Sequence, residues 1–230
     1  MSPIELRGFA APAPPNFRRG AQPTRHQVRR WSTVRALADG LGGSALDYGA
    51  GWGDITAGLA PQFTRIIGVD IDPARVEFAA AEWAPVEFSR CDEGAVAFDD
   101  ASFDVVFSIV VMHFAPSAEG YLAECRRVLR PGGTLVIMVQ NPDSMLRLIR
   151  RLQGRRVWDG GIGADSVAGF RAFLARGGFA VDREAGFFDP PFDRLKGPAD
   201  LLLSMMNGAG QWFGLERRSS YIGFRCRRLP

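Results

Sequence analysis

Leu46-Asp47-Tyr48-Gly49-Ala50-Gly51-Trp52-Gly53 is the stretch that decides the fold of this 230-residue chain. It follows a short apolar run, Ser44 to Tyr48, read as a strand, and precedes a helical segment near Asp54 to Ala60. Glycines at alternate positions let the backbone turn sharply and approach a ligand without a Cβ clash. The following helix then points its free N–H groups at whatever is bound. The spacing is G-x-G-x-G, whereas a nicotinamide-dependent oxidoreductase would carry G-x-G-x-x-G and present the helix to a pyrophosphate. Asp47, two residues ahead of Gly49, would repel a pyrophosphate and suits a cationic ligand with a free amino group.

Outward from that turn, strands alternate with helices. Arg65 to Asp70 (RIIGVD) is a second strand, ending 17 residues after Gly53 in a carboxylate that can accept from both hydroxyls of a ribose. Pro73 to Trp83 reads as a helix with proline in its first turn, and Asp72 ahead of it as either a ligand or a helix cap. Val86 to Ser89 is a short third strand. Phe103 to Val111 (FDVVFSIVV) and Thr134 to Val139 are apolar runs read as buried central strands, joined through a helix over Ser117 to Leu129. Alternation of this kind predicts a parallel sheet covered on both faces.

The two ends differ from this centre. Residues 1–23 are rich in proline, glycine and alanine and are expected to be a flexible N-terminal segment. From Thr24 to Leu41, Val28, Trp31, Val34, Leu37, Ala38 and Leu41 form one apolar helical stripe, so the domain is expected to span 24–230. The C-terminal third carries a helix over Val167 to Ala175 and strands at Phe179 to Arg183 and Ser220 to Arg227. It also carries two long excursions, at 141–166 and 187–219, of a length that usually serves a binding loop or lid.

Composition excludes several classes. Hydrophobic residues make up 47% and charged residues 23%, the ordinary globular range. No apolar run reaches the roughly 18 residues that span a bilayer. Net charge is +3, and the arginines are spread along the chain in pairs such as Arg29-Arg30 and Arg126-Arg127, so nucleic acid is not expected as a partner. Cys91, Cys125 and Cys226 fit neither a metal spacing nor a disulfide framework, and a reducing cytoplasmic location is the default. The two histidines, His26 and His113, cannot make a metal triad without distant carboxylates, and no metal is expected.

The motifs, taken together, resemble those of the class I S-adenosylmethionine-dependent methyltransferases of the small-molecule group. LDYGAGWG resembles the family's first motif, and IIGVDID its second strand, with Asp70 in the ribose position and Ile71 beside the adenine. Cys91-Asp92-Glu93 is similar to the site whose aspartate takes the adenine amino group. SFDVVFS at 102–108 resembles the fourth strand, and LRPGGTLVI at 129–137 the turn into the fifth. The resemblance implies a Rossmann-like α/β fold with seven strands, mostly parallel with an antiparallel last strand, and helices on both faces. It implies S-adenosylmethionine as cofactor, held by Asp47, Gly49, Ala50, Gly51, Gly53, Asp70, Ile71, Asp92, Glu93 and Ser108.

Methyl transfer from a sulfonium has a good leaving group, so positioning and exclusion of water are the protein's main tasks. A general base helps only a poor nucleophile. His113, in SIVVMHFAP, resembles the second histidine of the family's Leu-His-His segment, with Met112 in place of the first, and is the candidate base. Its bland alternative is a histidine that caps a helix or bonds the backbone. Trp158, Phe187, Phe188, Phe192, Trp212 and Phe213 cluster in the excursions, as packing residues or as an apolar lid over an aromatic acceptor. Leu201 to Met206 reads as core or as a contact between two copies, which makes a homodimer an expectation. The expected reaction is O- or N-methylation of a small metabolite, with ring C-methylation and a non-catalytic regulator as alternatives.

Overall fold

The computed structural model describes residues 25–144, 147, 164–187 and 219–230. The expected flexible segment at 1–23 lies outside these residues. So do most of both excursions, the Leu201–Met206 segment, and the aromatics other than Phe187.

Seven strands form one sheet in the order β3-β2-β1-β4-β5-β7-β6. They are β1 Ser44–Tyr48, β2 Arg65–Asp70, β3 Glu87–Arg90, β4 Phe103–Ile109, β5 Leu129–Gln140, β6 Phe179–Phe187 and β7 Tyr221–Arg228. Pairings among β1 to β5 are parallel, and β7 runs antiparallel to both β5 and β6, so only the last strand is reversed. The helices are α1 Arg25–Ala38, α2 Asp54–Leu59, α3 Pro73–Glu82, α4 Ala118–Val128 and α5 Val167–Arg176. This is the Rossmann-like α/β architecture expected from the motifs.

Alternation along β4 shows how the two faces are filled. Val105, Phe107 and Ile109 pack with Trp31, Val34 and Leu37 of α1 and with Ile55 and Leu59 of α2. Val106 points the other way, toward Tyr121 and Leu122 of α4 and Phe170 and Phe173 of α5. Helix starts are set by side chains: Asp72 accepts from the Ala74 N–H, Ser117 from Gly120 and Ser166 from Gly169. The cap role of Asp72 is thus realised.

Several boundaries differ from the sequence reading: α1 stops at Ala38 rather than Leu41, β6 runs on from Arg183 to Phe187, and two further shifts lie in β4 and β5. The apolar run was expected to stay extended to Val111, but β4 stops at Ile109 because Val110 takes a left-handed backbone, φ 62°. Strand β5 begins at Leu129 rather than Thr134, since Leu129 already pairs with Phe103 and the Pro131-Gly132-Gly133 stretch forms an irregularity within the pairing. Below that irregularity Asp104 accepts from Ser44 N at 2.8 Å and from Arg130 Nη1 at 2.6 Å, tying β1, β4 and β5 at their starting edge. No helix among the described residues is long and apolar enough to cross a membrane.

Candidate cofactor site

Strand order reverses between β1 and β4, and a cavity of about 570 Å³ opens at the carboxyl ends of these strands and of β2. Crevices at such a reversal are where open α/β sheets take their ligands. The glycine turn forms one wall. Gly49 and Ala50 both donate to the Val69 carbonyl at 2.8 Å, which hangs the turn from the end of β2. Gly49 has φ 90°, and a Cβ there would meet Val111 at 2.4 Å. Gly51 has φ 57° with nothing within 4 Å of its missing side chain, so its backbone faces open cavity.

Carboxylates gather around this turn. Asp70, expected to accept from a ribose, accepts from Gly51 N at 2.8 Å and from Asp72 N at 3.0 Å, and so fastens the turn. Asp47 is 1% exposed, and its Oδ2 accepts from the Thr56 hydroxyl at 2.6 Å. Its Oδ1 is buried with no partner. Burial pushes Asp47 up to about 7, against the pull of the Thr56 bond, with Asp54 and Asp70 adding to the rise.

One cation reaches the same space from a distant part of the chain. Arg30 of α1 lines the cavity, and its Nη2 lies 2.7 Å from the Asp54 carboxylate, while its Nε is buried without a partner. Sequence reading counted Arg30 among the dispersed arginines. No local pattern marks it, because only the docking of α1 over the sheet brings it to the turn. Its neighbour Trp31 does the docking, lying against Gly58, where a Cβ would meet the indole at 2.5 Å.

An adjoining part of the lining is apolar and follows the end of β4. Val110 donates its N–H to Met138 O at 2.9 Å and then turns left-handed. A β-branched residue rarely takes that conformation, which costs about 1–3 kcal/mol. The kink sets Val111 over Gly49 and starts a 3-10 turn, Met112–Phe114, anchored by the fully buried Met112. Phe114, 71% exposed, lines the mouth, as does Ile71 across from it.

Residues 46–137 match a methyltransferase domain family. Over that stretch the chain is similar to the class I S-adenosylmethionine-dependent methyltransferases. It is 32% identical over 131 residues to the trans-aconitate 2-methyltransferase of Methylobacterium radiotolerans, covering 54% of this chain and 49% of that protein. It is 36% identical over 115 residues to the demethylmenaquinone methyltransferase of Clavibacter sepedonicus, covering 48% and 46%. The chain thus spans about half the length of the curated relatives it matches. An S-adenosylmethionine-dependent methyltransferase from Mesorhizobium loti superposes with a TM-score of 0.61 at 18% identity, over 87% of this chain and 98% of that one, and so shares the fold.

The structure brings together only part of the expected site. Asp47, Gly49, Ala50, Gly51, Asp70, Ile71 and Glu93 line the cavity. Gly53 does not: its φ of 81° starts α2, and its missing Cβ faces Phe88 and Trp83, so it serves packing. Asp92 is exposed in a bridge with Ala95 and lies outside the lining, while its neighbour Cys91 lines the cavity, with its thiol pushed up to about 11 by burial. Ser108 is fully buried on the α4 face of β4, sharing a 3.0 Å hydrogen bond with the Tyr121 hydroxyl. Tyr121 in turn stacks on Tyr48 at 4.5 Å between ring centroids, and both rings reach the lining.

His113 sits in the 3-10 turn, half-buried and outside the cavity lining, with its ring centroid 4.1 Å from that of Phe114. Burial holds its pKa below the usual imidazole range. His26 lies elsewhere, edge-on to Phe187 and Tyr221, where β6 ends and β7 begins.

Proposed function

We propose that this chain transfers the methyl group of S-adenosylmethionine to a hydroxyl or amine of a small metabolite. The reading is carried by one observation: Asp47 and Arg30, which both line the cavity, each keep a buried polar atom, a carboxylate oxygen and a guanidinium nitrogen, without a partner among the described residues. An α-amino-acid head carries an ammonium and a carboxylate, the two groups that would satisfy them. The remaining lining fits the rest of such a ligand, with Asp70 at the ribose and the apolar Ile71 and Phe114 flanking a flat base.

When bound, the sulfonium supplies an electrophilic methyl group with a neutral thioether as leaving group. The chain's own residues hold and dry the reactants. Gly51 leaves its part of the lining free of a side chain, and Val111, seated on Gly49, joins Val110 and Phe114 in an apolar part of the lining. Proximity in a dry cavity is the main source of rate. The acceptor enters from the sheet edge where β5 and β6 end and β7 begins, since both excursions leave the described core there. For a hydroxyl acceptor the proton acceptor is His113, which burial keeps neutral at pH 7. With such an acceptor, His113→Ala turns over about 10²-fold more slowly; an undiminished rate leaves positioning as the sole catalyst.

A second reading, C-methylation of a quinone-type ring, is favoured by that apolar part of the lining and by the likeness to a demethylmenaquinone methyltransferase. Buried free cysteines suit a reducing cytoplasm. Calorimetry tests the donor site: S-adenosylhomocysteine binds the wild type, and Arg30→Gln weakens it by about 10-fold or more through the lost ion pair. Binding of 5′-methylthioadenosine, which lacks the amino-acid head, is unchanged by that substitution. A wild type that binds NAD and not S-adenosylhomocysteine overturns the reading.

A further inference from the structure

The Asp47 carboxylate occupies an unusual electrostatic position. It is enclosed by β1, α1, α2, β2 and α4, and the groups facing it are Thr56 and Asp54 from α2, Asp70 from β2, Arg30 from α1 and Tyr121 from α4. Three carboxylates thus share one guanidinium, and that guanidinium bonds Asp54. Among the described residues, the hydrogen bond that Asp47 accepts comes from the neutral Thr56 hydroxyl. A buried carboxylate with no bonded cation is unfavourable as an anion.

We infer that this site takes up an α-amino-acid head by exchanging a proton for an ammonium group at Asp47. The inference rests on the S-adenosylmethionine reading of the cavity and says how uptake depends on pH. In the empty cavity Asp47 is a carboxylic acid below about pH 7. When the ligand's ammonium arrives beside it, the O–H bond breaks, the proton leaves to solvent, and the carboxylate keeps the electron pair and faces the ammonium. No other bond changes, and the charge at Asp47 stays constant, because a neutral acid gives way to a carboxylate paired with an ammonium.

The sign of the pH dependence follows. Burial sets the titration of the empty site near 7, with the Thr56 bond pulling it lower. Below that point each unit of pH removes about 10-fold of affinity for a ligand with the amino-acid head, because a proton must be expelled; above it the affinity levels off. A ligand with the same nucleoside and no head senses none of this. The site therefore distinguishes the two by pH as well as by contacts.

The experiment is calorimetric titration at pH 6 in buffers of different ionisation enthalpy, which counts protons directly. At that pH about 0.9 of Asp47 is protonated for a pKa near 7, and the ligand's amine, which titrates well above that pH, is already an ammonium. S-adenosylhomocysteine should release close to one proton from the wild type, and 5′-methylthioadenosine none. Asp47→Asn should release none with either ligand. Thr56→Val, which removes the bond that pulls Asp47 down, should move the levelling of S-adenosylhomocysteine affinity to higher pH, and it serves if Asp47→Asn fails to fold. Binding of S-adenosylhomocysteine to the wild type with no buffer dependence overturns the inference and leaves the cofactor reading standing. So does equal proton release from Asp47→Asn. No binding of S-adenosylhomocysteine at all overturns the cofactor reading and the inference together.

Discussion

Gly49 and Gly51 sit two residues apart in the same turn, and the structure gives them different tasks. Both have left-handed backbones, so alanine at either strains the chain by about 1–2 kcal/mol. At Gly49 the added methyl also collides with Val111 at 2.4 Å, and Val111 is held by the kink at Val110 and the anchor at Met112. Gly49→Ala should therefore lower the melting temperature and ligand affinity together. At Gly51 the methyl meets nothing within 4 Å and projects into the cavity. Gly51→Ala should melt a few degrees below wild type, less far below it than Gly49→Ala, yet lose most S-adenosylhomocysteine binding. Thermal melting and calorimetry on the two variants separate the cases, and a Gly51→Ala that binds normally would place the ligand away from this turn.

Among elements, α1 shows why part of the site escapes sequence reading. Its apolar stripe was legible, because a helix repeats its buried positions every three to four residues, and Trp31, Val34 and Leu37 are indeed buried. The adjoining Arg30 was not, because its meaning depends on Asp54, 24 residues on and in another helix. The glycine turn and the alternation of strands with helices were legible for the opposite reason: both are written in local spacing. The kink at Val110 lies between these cases. An unbroken apolar run carries no mark for a left-handed valine, and only the Met138 bond and the docked Met112 impose it. Ser108 and Gly53 were assigned by motif alone, and the pleat of β4 and the start of α2 turn them toward packing. The coupling of α1 to the cavity can be tested at Gly58 in α2. Gly58→Ala drives a methyl into the Trp31 indole, an overpacking that costs about 1–3 kcal/mol. If α1 is what delivers Arg30, the variant should also bind S-adenosylhomocysteine more weakly while 5′-methylthioadenosine is little affected. Equal losses for the two ligands would mean that the whole cavity has collapsed instead.

For the whole molecule, these buried groups set how stability responds to pH. Asp47 is raised from 3.8 to about 7, so the native state holds a proton that the unfolded chain releases near pH 4. Its contribution is fully present below about pH 4 and declines as pH rises to about 7. From pH 8 down to 5.5 it therefore stabilises the ligand-free fold by about 2 kcal/mol. His113 acts in the opposite sense: burial lowers its pKa, so the native state resists a proton that the unfolded chain takes up near 6.5, and acidification destabilises it. His113 is only half-buried whereas Asp47 is enclosed, so Asp47 dominates. At the acid end, burial pushes Asp104 up, but bonds from Ser44 and Arg130 outweigh it and hold the group low. Glu124 is held low by Arg127. The stability these two give is present above their unfolded pKa values and is lost as pH falls below about 4. The ligand-free protein should thus melt higher at pH 5.5 than at pH 8, by about 4–8 °C for a domain of this size, and then lose stability below pH 4. Asp47→Asn removes the dominant group and leaves His113, so the trend between pH 8 and 5.5 should reverse sign while the acid limb stays in place. Melting curves across pH on the two proteins decide it: a variant that still gains stability on mild acidification would show that a different group carries the proton.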